Sequence, residues 1–414
     1  MRYIQLLVFL GVFGVFRETP AADSNACEPL RTPDDVIRCA LANHPDIQRA
    51  GAVEKQGTEL EAIARQRPNP ELSSKVVYGR TGGATVLATE SALLHTFELG
   101  GKRGARVEGA VAASEERSAR LLQTKEEVFL KTWLALYRMR QVRDELKILD
   151  EGINTFERIQ RQFRSRPRLG PEQSVSLSVF RLAQSDFKLR KATLLSESNV
   201  LQKALQIATG KDLSPEGPFF PSPRRDWPAV PDVSPGPLGG SRLKLAEAEL
   251  KEARAAMSAA EGSAWPDLKI GPAFETQRQG AQSFETFGVT LSLPLPLYQA
   301  NAAGKAYAAL GENGARLSLD LAKKEAQVQW DVAVSQYRRA LQALNEALPA
   351  EEVERKHESA ERLFIRGLVP SALVIEAHRQ IFDFTKSFHE REIELVEALS
   401  KIRALEGRLL EENP

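Results

Sequence analysis

The sequence of 414 residues predicts a mainly α-helical protein with a small β part, built as two similar halves. Three observations predict this fold class. A stretch of helix-forming residues without proline extends from Lys102 to Arg164. Apolar residues alternate with polar ones in two pairs of short runs, as in half-buried strands. The order of helix, paired strands and long helix recurs about 200 residues later, which indicates an internal repeat.

The N-terminus has the pattern of a secretory signal. Arg2 precedes an apolar run of 13 residues from Ile4 to Phe16, which is too short to span a bilayer as a helix. We expect a signal peptide over residues 1–22, with cleavage after residue 22 or 26. The alternative is an uncleaved anchor. The first interpretation predicts an exported protein.

The two cysteines, Cys27 and Cys39, follow this segment closely. In an oxidising compartment such a pair can form a disulfide that ties the mature N-terminus to the first helix. Two alternatives remain open: attachment of a lipid to Cys27, or two free thiols.

The mature chain divides into two repeats. We assign residues 23–213 to the first repeat and 241–414 to the second, with a linker over 214–240 that contains eight prolines. Helical stretches are predicted over Asp34–Gln66 and Ser241–Ala264. Each is followed by a β-hairpin, at about 70–99 in the first repeat and 267–293 in the second. No later stretch approaches 18 consecutive apolar residues, so any membrane span has to be made of strands.

The end of the last strand is well defined by the sequence. Phe287, Val289 and Leu291 alternate with polar or small residues, and then Pro294 and Pro296 end the strand because proline lacks the N–H that a ladder needs. Helix-forming residues follow from Gln299, and Pro349 interrupts them. We expect a kink there that marks a belt around the helices.

The long helices are predicted to pack as coiled coils. The segment Lys102–Arg164 corresponds to roughly 90 Å of helix, far more than a typical globular domain contains. Apolar residues fall at heptad-like spacing in both repeats. The first seam comprises Met139, Val142, Leu146, Leu149, Ile153, Phe156 and Phe163. The second comprises Val374, Ala377, Ile381, Phe384, Phe388, Leu395, Ala398, Ile402, Leu405 and Leu409. Each rod reverses at a tip that contains proline and glycine, at 165–171 and 365–371, where glycine would permit the sharp turn.

No catalytic or metal-binding motif is recognisable. The sequence lacks a nucleophile elbow, a P-loop, a zinc-protease motif and a Cys/His cluster, and we therefore predict no enzyme, cofactor or resident metal. His378 and His389 are 11 residues apart, whereas a helical metal pair needs a spacing of three or four. With 56 basic and 55 acidic side chains, bulk charge does not predict binding to nucleic acid.

Several stretches resemble the TolC family of outer-membrane efflux channels, and most closely its CzcC-type heavy-metal branch. They are ALANHPDIQRA at 40–50, RPNPEL at 67–72, FELGGKRGARVEGA at 97–110, VTLSLPLPLYQANAAGKA at 289–306, the segment 347–380 and LEG at 405–407. The resemblance implies a homotrimer in the outer membrane of a Gram-negative bacterium. Three chains would each give four strands to a 12-stranded transmembrane β-barrel, and their helices would form a periplasmic tunnel. Open strand edges are intolerable in lipid, and trimerisation would remove them.

The resemblance also implies partners and a gate. It predicts a periplasmic membrane-fusion adaptor, an inner-membrane pump of the RND type, and export of heavy-metal cations. Glu376 matches an acidic gate position of the family, while the earlier acidic position is Leu373 here. The tips are the candidates for adaptor docking. They comprise Arg166, Pro167, Arg168, Leu169, Gly170 and Pro171 in the first repeat, and Arg366, Gly367, Leu368, Val369, Pro370 and Ser371 in the second.

Two other functions fit parts of the pattern. The same channel fold could serve efflux of organic drugs or solvents, or type I secretion. A coiled-coil adaptor or scaffold without a pore would explain the helices, but it gives the duplicated strand pairs no obvious place.

Overall fold

A computed structural model describes residues 27–166, 168–224, 226–231, 236, 238–366 and 368–411. The predicted signal peptide lies outside these residues, as do Pro167 and Gly367 of the candidate tips. Among the helices that the structure describes, none combines the length and the apolar character needed to cross a membrane.

The described residues form eight helices and four strands in two repeats of similar order. The first repeat contains α1 (Pro33–Asn43), α2 (Pro45–Ala64), β1 (Glu71–Thr81), β2 (Ala84–Phe97), α3 (Lys102–Arg164) and α4 (Pro171–Thr209). The second contains α5 (Ser241–Gly262), β3 (Leu268–Gln279), β4 (Gln282–Ser292), α6 (Ala302–Glu346), α7 (Ala350–Ile365) and α8 (Ser371–Leu405). The mainly helical fold with two β-hairpins is confirmed.

Two helix boundaries differ from the prediction. The segment predicted as one helix from Asp34 is divided after Asn43, because Pro45 disfavours helical geometry at His44. His44 instead caps α2, where its Nδ1 accepts a hydrogen bond from the N–H of Asp46 at 3.1 Å. Helix α6 begins three residues after Gln299, because Asn301 adopts a left-handed conformation (φ 54°) just before it.

The four strands form one antiparallel sheet in the order β1-β2-β3-β4, which leaves β1 and β4 as its edges within the described chain. In the register, Tyr78 lies opposite Leu87, and Phe274 lies opposite Phe287. Residues opposite each other in an antiparallel sheet share a face, so most of the large apolar residues lie on one side of the sheet. The exceptions on the other side are Val77, Val86, Leu94 and Phe284. The two hairpins thus form a single amphipathic sheet.

Helix α3 is the centre of the helical layer and packs against α2, α4, α5 and α8, whereas α6 packs mainly on α5 and α8. It is 63 residues long, so its length is about 95 Å. In the seam predicted for α3, Leu146 and Phe163 are half-buried and the other residues are buried. The α8 seam is only partly right, because Ile381, Phe384 and Phe388 are half-buried while Phe382 is fully packed. Helix α8 has neighbours on more than one side, so a single heptad stripe does not describe its buried face.

The described part of the proline-rich linker, residues 214–240, packs against the helices as a strap. Phe219 and Phe220 lie in the core formed by α1, α3 and the end of α8. Pro228 accepts a hydrogen bond from the hydroxyl of Tyr337 at 2.6 Å, and the carbonyl of Val230 accepts one from Arg338 at 3.0 Å. The described residues of the strap form neither helix nor strand, and they are held in place by side-chain packing and by hydrogen bonds to their carbonyls.

The long helical segments of the two repeats reach their tips differently: α3 is continuous to Arg164, whereas the second segment is divided into α6 and α7. In the second repeat α6 stops at Glu346 and α7 restarts after Pro349, as the proline predicted. At the first tip Pro171 is the first residue of α4, also as predicted. Gly170, however, has φ −68°, which any residue can adopt, so glycine is not required for that reversal.

Candidate functional site

The junction between β2 and α3 is built from two glycines. Gly100 and Gly101 both have positive φ (69° and 74°). A Cβ at Gly100 would lie 2.7 Å from Cδ1 of Trp265 and 2.8 Å from the carbonyl oxygen of Gly262. The chain therefore turns from strand to helix in the space of a few residues, against the end of α5, and only glycine fits the first position.

Arginines of the first α3 turns hold the end of α2 at this junction. Arg106 donates to the carbonyl of Ala64 at 3.1 Å and Arg103 to that of Arg65 at 2.8 Å. The last carbonyls of a helix have no partner within the helix, so these bonds satisfy them. Arg106 also pairs with Glu98, and its hydrogen bond lowers the pKa of that carboxyl below its usual value. The basic residues of the GGKRGAR stretch thus serve to fix strand to helix.

The corresponding junction of the second repeat is longer and more exposed. Between Leu293 and Asn301 the chain has no regular structure, and Asn301 bonds to the carbonyl of Ala260 at 2.9 Å. Leu297 is 75% exposed and Tyr298 fully exposed. Exposed apolar residues next to a strand end point to contact with an apolar phase or another chain.

The sheet presents one apolar and one polar face. On the apolar face Leu72, Tyr78, Phe287 and Val289 are each at least 70% exposed. The opposite face carries mostly polar or small residues, such as Lys75 opposite Glu90. Toward the hairpin turns the apolar face becomes polar as well, with Arg278 and Glu285 among its residues. This pattern is the one expected of strands with lipid on one side and water on the other.

Two helices carry apolar stripes that nothing in the chain covers, among the residues described. On α6 and α4 apolar side chains recur on one face at helical spacing. The α6 stripe comprises Tyr307, Leu310, Leu317, Leu321, Val328 and Val332. The α4 stripe comprises Val175, Val179, Leu182, Leu189, Val200 and Ile207. Both lie at the lateral edges of the helical layer.

The described residues of the two predicted tips lie in or beside the turns that link the long helices, while Pro167 and Gly367 are outside the described part of the chain. Cζ of Arg166 lies 5.6 Å from the ring centre of Phe163, three residues earlier in the chain. Pro171 is the first residue of α4, and Pro370 directly precedes α8. Leu368 is 68% exposed. Most of the described tip residues are therefore accessible, and their role in adaptor docking stays a prediction.

Glu376 lies on the exposed side of α8, one turn beyond the second tip. It accepts a hydrogen bond from Gln380 at 3.0 Å, and Arg379 lies 3.9 Å from its carboxylate. The nearby arginine offsets part of its charge. Its role as a gate residue stays a prediction.

A buried ionic network crosses the middle of the helical layer, and it was not predicted. Glu145 of α3 has no exposed side-chain surface; it receives hydrogen bonds from Arg138 at 2.7 Å and pairs with Nδ1 of His389 at 2.8 Å. Burial alone would raise the pKa of Glu145, but His389 and Arg138 outweigh it and hold the pKa below its usual value. Arg138 also pairs with Glu197 of α4 at 2.6 Å. The network therefore joins α3, α4 and α8.

A second pair lies beside this network. Arg140 and Glu392 are each 3% exposed and are hydrogen-bonded to each other. Gln141 donates to the same carboxylate at 2.7 Å and to the carbonyl of His389 at 3.1 Å. Next to them is a cavity of about 490 Å³ between α3, α8, the strap and the α6–α7 break.

His378 and His389 both line this cavity. The ring of His378 bonds through Nδ1 to the carbonyl of Val374 at 2.9 Å. Within the described part of the chain, no group of three or more His, Cys, Asp or Glu side chains could hold a metal ion. Cys27 and Cys39 are joined by a disulfide, with their Cα atoms 4.7 Å apart.

The fold defines the class of protein. The chain is similar to three solved outer-membrane proteins that it covers almost completely: CmeC of Campylobacter jejuni (15% identity, 91% of this chain, 86% of that one, TM-score 0.71), MtrE of Neisseria gonorrhoeae in its open state (15%, 92%, 90%, 0.68) and VceC of Vibrio cholerae (14%, 91%, 96%, 0.70). CmeC and MtrE are described as outer membrane channels, and VceC as an outer membrane protein. The chain therefore has the fold of these channels.

The comparison with family models covers a smaller part of the chain than the structural comparison does. Residues 36–210, which span nearly all of the first repeat, match the model of the outer membrane efflux protein family. A comparison with curated proteins found no match. The matched family and the three structures are those of efflux and outer-membrane proteins and not of enzymes.

Proposed function

We propose that the protein is a passive trimeric conduit of an outer membrane, through which a tripartite efflux system exports its substrates. The observation that carries this proposal is the amphipathic four-stranded sheet with two open edges, set at one end of a helical rod about 95 Å long. Alone, such a sheet has unpaired backbone groups that lipid cannot satisfy. Three copies joined edge to edge form a closed 12-stranded barrel, with the apolar faces toward lipid.

The helical layer supports the same assembly. Its lateral edges carry the α6 and α4 stripes, which are complementary in their apolar character and exposed in the single chain. Contact of α6 with α4 of the next copy would cover both and close the helices into a tunnel. A periplasmic adaptor and an inner-membrane RND pump would meet this tunnel at the tips.

Heavy-metal cations are the proposed cargo, on the strength of the resemblance to the CzcC-type branch. The polar face of the sheet carries both signs of charge, for example Lys75 and Glu275, so it favours neither cations nor anions strongly. Selection of the cargo is therefore assigned to the pump. Growth of a deletion strain on a panel of metals and organic drugs tests the assignment: sensitivity to drugs alone would replace metal efflux with drug efflux.

The assembly is tested with a pair of neighbouring residues on β4. Val289→Arg places a charge on the apolar face and should abolish trimers in the outer membrane, because each Arg costs about 2–4 kcal/mol at the bilayer midplane. Thr290→Arg, on the opposite face, should still assemble. The measurement is the amount of trimer in membrane fractions. Equal assembly of both variants would contradict the lipid-facing assignment, as would purified wild-type protein that stays monomeric and gives no conductance in planar bilayers.

The gate is tested by Glu376→Gln. In a trimer three copies of Glu376 would form an acidic ring near the closed end, which would favour cations. The variant should show weaker block by divalent cations and lower cation selectivity in bilayer recordings. Identical recordings for wild type and Glu376→Gln would remove Glu376 from the gate.

A further inference from the structure

The two free edges of the sheet carry complete sets of hydrogen-bonding groups. Both hairpins close on two-residue turns, so the closing pairs, Thr81 with Ala84 and Gln279 with Gln282, are hydrogen-bonded ones. Because bonded and non-bonded pairs alternate along an antiparallel ladder, every second residue of β1 and β4 directs its N–H and C=O away from the sheet. These residues are Leu72, Ser74, Val76, Tyr78 and Arg80 on β1, and Ser283, Glu285, Phe287, Val289 and Leu291 on β4. None of them is proline, so each edge can pair along its whole length.

The residues of both sets lie on the apolar face, which restricts how two copies can join. If β4 of one copy pairs with β1 of the next, the free N–H and C=O groups of the two sets face each other, and the apolar face continues from copy to copy. A shift of one residue would turn all side chains of one strand to the other face. Only registers that differ by two residues are therefore possible.

The tilt of the strands in a closed barrel limits these registers further. Within one copy the direct pairs place Val76, Thr89, Thr276 and Glu285 at one level, so a barrel that joined Glu285 to Val76 of the next copy would have untilted strands. Three copies of the four-stranded sheet give 12 strands, each about 4.8 Å from the next and rising about 3.4 Å per residue. A displacement of two, four or six residues per copy then gives tilts of about 20°, 35° or 47°.

Outer-membrane barrels have tilts of about 35–45°, so a displacement of two residues is too small. The displacement has to bring Glu285 toward the hairpin turns of the next copy, because the opposite direction would coil the strands against their right-handed twist. Displacements of four and six residues remain.

Charge complementarity selects the displacement of four residues. It places Arg80 opposite Glu285 of the next copy, and Tyr78 opposite Phe287. Arg80 and Glu285 are both exposed, and neither forms an ion pair with another described residue. Opposite charges and aromatic pairs directly across a ladder stabilise the pairing of strands. With a displacement of six, Arg80 would lie opposite Phe287 and Glu285 opposite the turn, so both charges would lack a partner.

We infer that β4 of each copy pairs with β1 of the next with Arg80 opposite Glu285, and that this intermolecular ion pair fixes the register of the seam. The pair lies near the hairpin turns, where the apolar face becomes polar, so neither charge is placed in the middle of the lipid. The inference rests on the proposed conduit and adds the contacts that close it.

Arg278 is the alternative partner of Glu285 within the same chain. It lies on the same face, directly opposite Ser283, and is therefore the diagonal neighbour of Glu285 across β3 and β4. The contacts of the described residues include no ion pair between the two. Arg278 thus provides the control for an exchange of charges at the seam.

The register is tested by pairs of introduced cysteines in the full-length protein. The two native cysteines are joined to each other, so the introduced thiols are the free ones. Tyr78→Cys with Phe287→Cys should give covalent dimers and trimers after oxidation with copper phenanthroline, because the Cα atoms of a bonded pair are about 5.5 Å apart. The two positions lie on opposite edges of one sheet, roughly 14 Å apart, so they cannot be bridged within a chain.

Two control pairs report the neighbouring registers. Val76→Cys with Phe287→Cys would be bridged at a displacement of two, and Tyr78→Cys with Val289→Cys at a displacement of six. In the inferred register the Cα atoms of each control pair are roughly 9 Å apart, which is too far for a disulfide. Both controls should therefore stay largely monomeric on denaturing gels.

The ion pair is tested by exchanging its charges. Arg80→Glu and Glu285→Arg should each lower the temperature at which the trimer dissociates in detergent, because like charges then lie opposite each other. The combined exchange should restore that temperature. Glu285→Arg combined with Arg278→Glu should not, since Arg80 would still face an arginine.

The outcomes separate the register from the conduit itself. Trimers in which a control pair is bridged would place the seam in another register, and trimers without any bridge would show that β1 and β4 do not pair. Bridging of the inferred pair without restoration by the charge exchange would remove the ion pair from its role. Absence of trimers from the wild-type protein would contradict the proposed conduit and the seam with it.

Discussion

The two long helices α3 and α6 begin at corresponding points of the repeats, 200 residues apart at Lys102 and Ala302, yet their surroundings differ. Val128 of α3 is 4% exposed and packs with Ala40 and Ala208. Val328, at the matching position of α6, is 60% exposed. A valine at the corresponding position is thus buried in the core in one repeat and exposed at the surface in the other.

The difference follows from position in the helical layer. Helix α3 lies in the middle, with helices on both sides, while α6 lies at an edge and has chain on one side. A duplicated order of elements therefore does not give two equivalent halves. It gives one helix, α3, that is buried within the protomer, and one helix, α6, whose exposed face is covered, in our proposal, by another copy of the chain.

The sharpest way to break this comparison is to place the same charge at the two valines. Val128→Glu should prevent stable folding of the protomer, because an unpaired carboxylate in a packed core costs several kcal/mol. Val328→Glu should leave the protomer folded and weaken the trimer. Circular dichroism measures the first effect and size-exclusion chromatography with light scattering the second. A Val328→Glu protein that stays fully trimeric would remove α6 from the proposed interface.

A second prediction concerns the network that belongs to the internal helix. Glu145→Gln removes the carboxylate that pairs with Arg138 and His389, and should lower the free energy of unfolding by about 3 kcal/mol or more at neutral pH. Glu197→Gln, at a half-exposed partner of the same Arg138, should cost at most about 1 kcal/mol. Denaturant unfolding of the detergent-solubilised proteins compares them.

The pH dependence has a defined sign. Because the pKa of folded Glu145 lies below its ordinary value, its contribution to stability is present above the unfolded pKa and is lost as the pH falls through the folded pKa. The stability difference between wild type and Glu145→Gln should therefore shrink in acid. A difference that stays constant from neutral pH to acid would contradict the assigned charge state of Glu145.

The smallest expected effect sharpens the comparison at the strand–helix junctions. Gly100→Ala should cost roughly 1–3 kcal/mol, because it adds a clash with Trp265 to an unfavourable φ. Gly101→Ala has the same kind of φ but open space around it, so it should cost about 1 kcal/mol. Thermal unfolding in detergent measures the stability of both variants. Equal losses of stability would show that Trp265 moves aside to accommodate the added methyl group.

The elements with strong local signals were predictable from the sequence. The bounds of α3, the two hairpins and the strand end before Pro294 follow from helix propensity, alternation and proline chemistry. Alternation also fixes the face of each residue within its own strand. That the strands share an apolar face depends in addition on the register between β2 and β3, which was not predicted. The division at His44 was missed because a proline at the first turn of a helix is compatible with one helix or two.

The buried network and the cavity could not be predicted in this way. Arg138, Glu145 and Glu392 stand among many charged residues on long helices, and single-sequence spacing gives no sign that they meet. Their pairing depends on the crossing of α3, α4 and α8, which brings together residues nearly 250 positions apart. The exception is the pair Arg138 and Glu145, whose spacing of seven residues places both on one face of α3, two turns apart.

The beginning, the middle and the end of the described chain meet in a single core. This core contains Val36 of α1, Leu213 at the end of the first repeat, Phe220 of the strap and Leu409 near the C-terminus. A nascent chain cannot assemble this core until its last helix has been synthesised, however early its local helices form. Loop closure over almost the whole length must then precede the cooperative step. Maturation of the protomer is accordingly a late event, and a chain cut short before Leu409 should remain vulnerable to proteolysis even though both sets of strands are complete.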